Sequence, residues 1–484
     1  MKVQVISRDV GYALLVSALF MFFSILVSVA NGNDSALAAL IISFTITFTV
    51  GLFPFIFVRD GSAITTKEGY LVIVLSWILS FVFGMLPYAL WGGPFTIINA
   101  WFESVSGFTT TGSTILDDIE ALPRSLLFWR SSTHFIGGLG VVVFLLLVIP
   151  NSSQMRLRLT NMELSSLSRY EYRSRTNKTV SIFTTVYFGI MVASFVCYML
   201  AGMSPFDAVN HAMSVTATGG FSTRNLSIGA FDSVPITLVT MFFMLVSSIH
   251  FGIVFLVIAM RSLKPLKNEI FKYFMMMLVL AGVIVSVSLK VNGLEETWGR
   301  STLSGFFHVI SYATTTGFGI ADNSTWPALP SAILLFVGIW CGMAGSTSGG
   351  VKVDRAVLLC KEIKFRLQNV MHPNSIHEVR VNRRVIRQED LAPHILYISL
   401  FLMVFLFSLV INLMLENDGG HALYGTLTSL SNVGPAIRDL GTFSSFSAEP
   451  FGVKLMYTID MFLGRVEIYP VLAVLTMIFS PAEK

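Results

Sequence analysis

Short runs of threonine and glycine occur at four places in a sequence that is otherwise rich in Leu, Val, Ile and Phe. They read FTTTGST at 108–114, TATGGFST at 216–223, ATTTGFG at 313–319 and SNVGPA at 431–436. Glycine permits backbone conformations that turn successive carbonyls inward, and threonine can add a hydroxyl oxygen. Rings of such oxygens replace the hydration shell of a cation. The runs therefore predict a site for a dehydrated monovalent cation.

The candidate ion-binding residues surround the glycine of each run and would act mainly through backbone carbonyls. They are Thr110, Thr111, Gly112, Ala217, Thr218, Gly219, Thr315, Thr316, Gly317, Asn432, Val433 and Gly434. For any single run, the alternative is a glycine that ends a helix, with threonines as ordinary polar residues. Four copies at the same place in four similar units favour a selectivity filter, with one quarter supplied by each run.

The composition identifies the surroundings of these runs. Of the 484 residues, 54% are hydrophobic and 12% are charged, and the mean hydropathy is +0.73, whereas a soluble domain carries about 25% charged residues. The chain is therefore predicted to be an integral membrane protein. Cys197, Cys341 and Cys360 lie far apart and lack the spacing of a disulfide framework or a metal site.

Each glycine run lies in a unit of the same order, and similarity at a regular interval indicates internal repeats. A unit has a long apolar span, a shorter amphiphilic segment, the glycine run, a polar stretch and a second long span. The middle segments are too short to cross a bilayer. A helix that ends inside the membrane must line water or a ligand, and its partly negative C-terminus would face a cation.

The sequence thus predicts an all-α polytopic membrane protein, in which four helix, pore-helix, filter and helix units surround one pore. The predicted units are 70–178, 179–270, 271–390 and 391–484, and they follow two transmembrane helices within 1–69. The second long spans are expected at 126–149, 234–260, 328–358 and 451–480. This arrangement gives ten crossings.

Basic residues concentrate in alternate connections between the predicted spans. The connections at 59–67, 156–178, 261–272 and 352–387 are rich in Lys and Arg, whereas those that hold the glycine runs contain chiefly Arg224, Arg300 and Arg438. Because basic connections remain in the cytoplasm, this bias predicts that both termini are cytoplasmic and that the glycine runs face the exterior.

With these residues, the chain resembles the superfamily of K+ transporters that includes Trk, Ktr and plant HKT proteins, and most closely its TrkH branch. The resemblance covers nearly the whole chain, including the two extra N-terminal helices. It implies K+ uptake across the bacterial cytoplasmic (inner) membrane through a gated pore, with potassium as the transported ion and no organic cofactor. It also implies a homodimer, surrounded by membrane lipid, and a cytosolic TrkA-type nucleotide-binding regulatory subunit; no nucleic acid partner is expected.

Two further segments carry the resemblance. GMAGSTSGGVK at 342–352 interrupts the second span of unit three, because each interior glycine costs a helix about 1 kcal/mol. Similar family members have a gating loop here, which implies that role for Gly342, Gly345, Ser346, Thr347, Ser348, Gly349 and Gly350. The alternative is close helix packing by small residues. A phosphate loop is unsupported, because Val351 stands where its lysine should be.

The second of these segments is FLGRVEIYP, which contains Arg465. An arginine at mid-membrane costs about 2.5–3.5 kcal/mol and normally faces a partner or a water-filled cavity. The resemblance implies that Arg465 meets the gating loop and raises an electrostatic barrier in the pore. Snorkelling toward an interface is the alternative.

The fourth run lacks a threonine pair and the second reads Ala217, Thr218, Gly219, so the filter is expected to be asymmetric. Selectivity for K+ over Na+ would then be moderate, and Rb+ would pass.

Glu103, Asn210 and His308 each precede the glycine of their unit by nine residues. They are predicted to anchor the pore helices, although Glu103 could instead attract cations at the mouth.

Two other classes of function are alternatives to a gated pore. An ion-coupled, alternating-access K+ or Na+ symporter is the alternative to a pore, but such folds usually contain inverted repeats, whereas these four units all enter from one side. A membrane enzyme would need a catalytic motif, and neither H-E-x-x-H nor G-x-S-x-G occurs. The basic loop from Lys361 to Asp390 is a candidate docking surface for a cytosolic regulator.

Overall fold

A computed structural model describes residues 3–58, 65–148, 176–372, 378–382, 384–415, 418–435 and 441–479, and the structural statements below concern these ranges. The architecture is helical, as predicted. The strands in the described ranges are β1 (Arg380–Val381) and β2 (Arg384–Val385), which form a small antiparallel ribbon. The basic residues between 156 and 175, with Arg59 and Arg438, lie outside the described residues.

Two N-terminal helices, α1 (Val3–Ala30) and α2 (Leu37–Phe57), pack against each other, and α1 also contacts α3 and α6 of the first unit. The two helices approach closely at Gly11 and Gly51, where a Cβ atom built on Gly11 would lie 2.7 Å from the carbonyl oxygen of Gly51. Glycines at this crossing allow the close helix packing that is common in membranes.

The remaining helices follow one order in each unit. Unit one contains α3 (Thr66–Gly84), α4 (Leu86–Trp91), α5 (Ile97–Phe108) and α6 (Arg124–Val148); unit two contains α7 (Thr176–Leu200), α8 (Pro205–Thr216), α9 (Val234–Ser248) and α10 (Phe251–Met260). Unit three contains α11 (Glu269–Val291), α12 (Trp298–Ala313), α13 (Ala328–Ile339) and α14 (Val353–Met371); unit four contains α15 (Gln388–Leu415), α16 (Gly419–Leu430), α17 (Phe451–Arg465) and α18 (Tyr469–Phe479).

The four short helices α5, α8, α12 and α16 are the pore helices, and each begins at a side-chain cap. Thr96, Ser204 and Thr297 each accept a hydrogen bond from the backbone N–H three residues later, and Asp418 accepts from Gly420 and His421. Such caps satisfy backbone donors that a helix start leaves unpaired. These capping residues therefore define where each short helix begins.

Breaks occur in the second spans of all four units. The helix pair α9 and α10 is bent by 105°, α13 and α14 are separated by the loop 340–352, and α17 ends before Glu467 and Ile468, which have positive φ. In α6, Gly140 leaves the helical conformation. The break in unit three was predicted from the glycine-rich segment 342–352, whereas the breaks in the other three second spans were not predicted.

Tertiary partners explain these unexpected breaks. The side chain of His250 caps α10 by accepting from Gly252, and the N–H of Phe251 donates to the carbonyl of Gly345 in the loop of unit three. At the other break, Glu467 leaves the helix and pairs with Lys352 and Arg355. Six helices of the described residues are long and apolar enough to cross a membrane, and α9 with α10 would make a seventh. The count of ten crossings stays a prediction.

Candidate functional site

The four glycine runs share one backbone conformation, which begins directly after the pore helices. The second residue after each helix has φ of 52° to 56°, and a glycine two positions later has φ of 79° to 95°. The first set is Thr110, Thr218, Thr315 and Asn432, and the second is Gly112, Gly220, Gly317 and Gly434. Positive φ is uncommon outside glycine. Its recurrence at matching positions indicates that the four runs are structurally equivalent.

The equivalence corrects the alignment of the second run by one residue. Gly220, and not Gly219, corresponds to Gly112, while Ala217 caps its pore helix as Thr109 does in unit one. Because Gly219 and Gly220 are adjacent, the sequence alone allows either of them to be aligned with Gly112. The end of the pore helix decides between the two alignments. By the same shift, His211 rather than Asn210 corresponds to Glu103 and His308.

The four runs close into a ring. A Cβ atom built on each positive-φ glycine would lie 2.1–2.2 Å from a carbonyl oxygen of the next unit. The contacts run from Gly112 to Gly219, from Gly220 to Thr316, from Gly317 to Val433 and from Gly434 back to Thr111. Because the last contact returns to the first unit, the runs surround a common axis. A side chain at any of these glycines would collide with its neighbour.

The carbonyl oxygens of the ring belong to Thr111, Gly219, Thr316 and Val433. These residues are buried, and within the described ranges no hydrogen-bond donor reaches any of the four oxygens. Buried carbonyls nearly always have a partner. Four unpaired carbonyls around one axis are therefore suited to a dehydrated cation, which they would bind in place of water.

The threonine hydroxyls point to protein neighbours. Thr111 Oγ1 lies 2.8 Å from Thr109 Oγ1, and Thr316 Oγ1 lies 2.7 Å from Thr314 Oγ1. Thr315 Oγ1 accepts a hydrogen bond of 2.8 Å from the N–H of Gly349. The hydroxyls thus brace the runs, and the backbone carbonyls remain available to an ion.

Side chains of the pore helices hold the segments that follow the filter. Glu103 accepts hydrogen bonds from Arg130 Nε (2.7 Å) and from the N–H of Ile115 (3.1 Å), and the carboxylate is buried. His308 lies 3.1 Å from the carbonyl of Ala321, and His211 lies 2.9 Å from Ser222 Oγ. Glu103 therefore has the anchoring contacts predicted for it, and burial removes it from the mouth.

The glycine-rich loop lies directly against the ring. Besides the bond from Gly349 to Thr315, Thr347 Oγ1 donates to the carbonyls of Thr216 and Ser247, at 3.1 Å each. A Cβ atom built on Gly349 would lie 2.6 Å from the carbonyl oxygen of Ser431. Gly345 and Gly350 have positive φ, Gly342 packs on Ser248, and the hydroxyls of Ser346 and Ser348 bond each other. The loop thus contacts three of the four units.

Arg465 connects this loop to the first unit. Its guanidinium donates to the carbonyl of Thr347 (2.7 Å) and to the carbonyl of Gly137 (2.9 Å). The side chain lines a cavity together with Gly138, Gly349 and Gly464, and a second cavity is lined by Gly112, Gly220, Gly317 and Pro435. An arginine in this position puts positive charge next to the route that an ion would take.

An ionic cluster beside Arg465 was not predicted from the sequence. Glu467 pairs with Lys352 (3.3 Å) and Arg355 (2.8 Å), and the guanidinium of Arg355 lies 3.8 Å from the ring centre of Tyr397. The pairing of Arg130 with Glu103, in which both side chains are buried, was not predicted either. Charged residues inside apolar segments were the available signal for these ion pairs. Their partners could not be identified because they are distant in the sequence.

Comparison with known proteins agrees with this architecture. The family model described as "TrkH: Cation transport protein" matches residues 37–484. The chain belongs to the TrkH family. Among curated relatives, it is 32% identical to the Trk system potassium uptake protein TrkG of Escherichia coli K12, with 99% of this chain and 98% of the relative covered. It is also 32% identical to the Trk system potassium uptake protein TrkH of Halomonas elongata, with 100% and 99% covered.

A solved structure supports the same assignment. The crystal structure of the potassium transporter TrkH from Vibrio parahaemolyticus matches this chain with a TM-score of 0.89 at 28% identity. The match covers 99% of this chain and 100% of the Vibrio parahaemolyticus chain. This TrkH-family chain is therefore a multi-pass membrane transport protein and not an enzyme, as predicted.

Proposed function

We propose that this TrkH-family protein takes up K+ across the bacterial cytoplasmic membrane through a gated pore. Its filter would consist of residues 110–112, 218–220, 315–317 and 432–434, with Gly220 added to the residues predicted from the sequence. The observation that carries the proposal is the closed ring of buried, unpaired carbonyl oxygens at Thr111, Gly219, Thr316 and Val433. The curated relatives are named potassium uptake proteins, which supports K+ as the ion.

The same pore would admit Rb+, because backbone carbonyls coordinate ions of similar size without side-chain discrimination. Selectivity over Na+ would be moderate, since the four runs differ in sequence. The cavity lined by Arg465 and by residues of the loop 342–350 would lie on the cytoplasmic side. In this orientation both termini are cytoplasmic, in agreement with the distribution of Lys and Arg.

The loop and Arg465 would form the gate. Arg465 donates to Thr347 O, and Gly349 donates to Thr315, so the loop is linked to both a cationic side chain and the filter. An ion leaving the ring would meet this loop first. Opening would therefore require Arg465 and Thr347 to separate, which a cytosolic TrkA-type nucleotide-binding subunit would control in a homodimeric complex.

Flux of K+, Rb+ and Na+ into proteoliposomes tests this function. In Gly317→Ser, the new Cβ would lie 2.2 Å from Val433 O, so we expect loss of K+ preference and at least a tenfold fall in K+ flux. Gly189→Ser is the control, because a Cβ atom at Gly189 meets nothing within 4 Å. Arg465→Gln should raise the basal flux of K+. A Gly317→Ser protein with the ion preference of the wild type would contradict the filter assignment.

A further inference from the structure

Asp460 is a carboxylate inside the fourth unit, on α17, and it is fully buried. Ser408 on α15 donates a hydrogen bond to its Oδ2. The other oxygen, Oδ1, has no hydrogen-bond partner among the described residues. The ion pairs formed in those ranges do not include Asp460. An ionised carboxylate in such surroundings would cost several kcal/mol without a compensating cation.

A second unpartnered oxygen lies in the same cluster. Asn412 follows Ser408 by one helical turn; its amide nitrogen donates to Thr426 Oγ1 (2.8 Å) and lies 3.4 Å from Ser408 Oγ. Its Oδ1 is buried and lacks a donor within the described residues. Both unpartnered atoms are acceptors, so what the cluster lacks is a hydrogen. A protonated carboxyl group supplies one, because it becomes a donor.

The surrounding titratable groups do not neutralise Asp460. On the helices packed against α17, these groups are Glu103 on α5, Asp390, His394 and Tyr397 on α15, and His421 and Tyr424 on α16; on α17 itself they are Lys454, Tyr457 and Arg465. Several have other partners, such as Arg130 for Glu103 and Thr347 for Arg465. Among the described residues, Ser408 is the one that donates a hydrogen bond to Asp460.

We propose that Asp460 is a proton-binding site, whose carboxyl group carries a proton on Oδ1 and is neutral when the filter is in the conformation described here. The buried oxygens of Asn412 and Ser408 form the polar environment that receives this proton. No other ligand is required, since one hydrogen converts an uncompensated charge into a neutral donor.

The site is connected to the filter through the neighbouring residue. The carbonyl of Met461 accepts a hydrogen bond of 2.8 Å from the side chain of Asn432, and the same amide donates to Thr111 Oγ1 (2.9 Å). Asn412 also bonds Thr426 on the pore helix of this unit. Loss of the proton would leave an unpaired charge next to these contacts, so α15, α16 and α17 would have to rearrange around the filter. This coupling rests on the proposed function, whereas proton binding does not.

Infrared difference spectroscopy of the purified protein tests proton binding directly. A buried carboxylic acid gives a carbonyl stretching band that shifts in D2O, and we expect this band at neutral pH in the wild type and its loss in Asp460→Asn. Asp118→Asn, which changes an exposed carboxylate, should keep the band. A wild-type spectrum without a band that depends on Asp460 would overturn the proposal, as would a Na+-dependent spectral change that Asp460→Asn abolishes.

Rb+ flux across a range of pH tests the coupling. We expect flux through the wild type to fall at least twofold as alkaline pH removes the proton, and flux through Asp460→Asn to lack this fall because the amide cannot ionise. Asp118→Asn should follow the wild type. Identical pH profiles in wild type and Asp460→Asn would overturn the coupling. If the K+ uptake function itself were wrong, no variant would conduct, yet the infrared band would still report the proton.

Discussion

The first and fourth units hold the same filter conformation with different side-chain chemistry. Thr110 and Asn432 have φ of 52° and 54°, and their glycines, Gly112 and Gly434, have φ of 84° and 95°. In unit one, the pore helix is anchored by the buried carboxylate of Glu103. In unit four, Gly425 occupies the equivalent position, and a Cβ atom built there would lie 2.3 Å from the hydroxyl oxygen of Tyr457.

This difference shows that the backbone of the filter is set by features common to all units, namely the end of the pore helix and the carbonyl of the next run. The side chains behind it only have to fill the space and satisfy their own polar groups. Asn432 suits its role because asparagine adopts positive φ more readily than threonine does. Its side chain also joins Thr111 to Met461. A run without threonines can thus complete the ring.

The sequence was sufficient for features that depend on local composition. Glycine density predicted the break at 342–352, and the glycine runs predicted, to within one residue, where the positive-φ segments follow the pore helices. It was insufficient wherever a distant partner decides the structure. The register of Gly219 and Gly220 depends on the end of α8, the break at 249–250 depends on Gly345, and the break at Glu467 depends on Lys352. Arg130 and Glu103 likewise reveal their pairing only in the fold.

Breaking the charged anchor of unit one should have the largest effect on stability. In Arg130→Met, Glu103 would remain buried without its cation, and removal of one partner of a buried ion pair costs about 3–5 kcal/mol. Thermal unfolding of the purified protein in detergent would measure the loss. The double variant Glu103→Gln with Arg130→Met should recover part of it, because no unpaired charge remains.

Arg224→Met provides the matched control for this prediction. Its side chain is 41% exposed, and its buried partner Asp207 keeps hydrogen bonds from Ser204 and Thr223, so loss of this exposed cation should cost about 0–1 kcal/mol. If Arg130→Met were no more destabilising than Arg224→Met, the contrast between a charged anchor in unit one and an uncharged one in unit four would lose its basis.

Overfilling the uncharged anchor of unit four should have an intermediate effect. In Gly425→Ala, the added methyl group would collide with Tyr457, and overpacking costs about 1–3 kcal/mol. The same unfolding measurement applies. Addition of Tyr457→Phe should relieve part of the cost, since the hydroxyl oxygen is the nearest atom. Gly189→Ala, at a position with no neighbour within 4 Å, is the control; equal effects at both glycines would refute close packing at Gly425.

The smallest effect is expected where the loops that follow the first and fourth runs meet. Asp117, in the loop after the first run, accepts hydrogen bonds from Ser445 and from Ser447 (2.7 Å), both of which follow the fourth run. The hydrogen bond from Ser445, followed by that from Ser447, lowers the pKa of Asp117 below its usual 3.8. Because the pKa is depressed in the folded state, the stabilisation is complete above the ordinary carboxyl pKa and disappears as pH falls through the depressed value.

Asp117→Asn should therefore reduce stability slightly at neutral pH and remove this part of the acid sensitivity, whereas Asp118→Asn should leave it in place. Thermal unfolding followed from about pH 6 to pH 3 would compare the variants over the range in which carboxylates titrate. The double variant Ser445→Ala with Ser447→Ala should behave as Asp117→Asn does, because it removes the same two donors. Unchanged acid sensitivity in both variants would mean that the hydrogen bonds to Asp117 contribute nothing to the connection between units one and four.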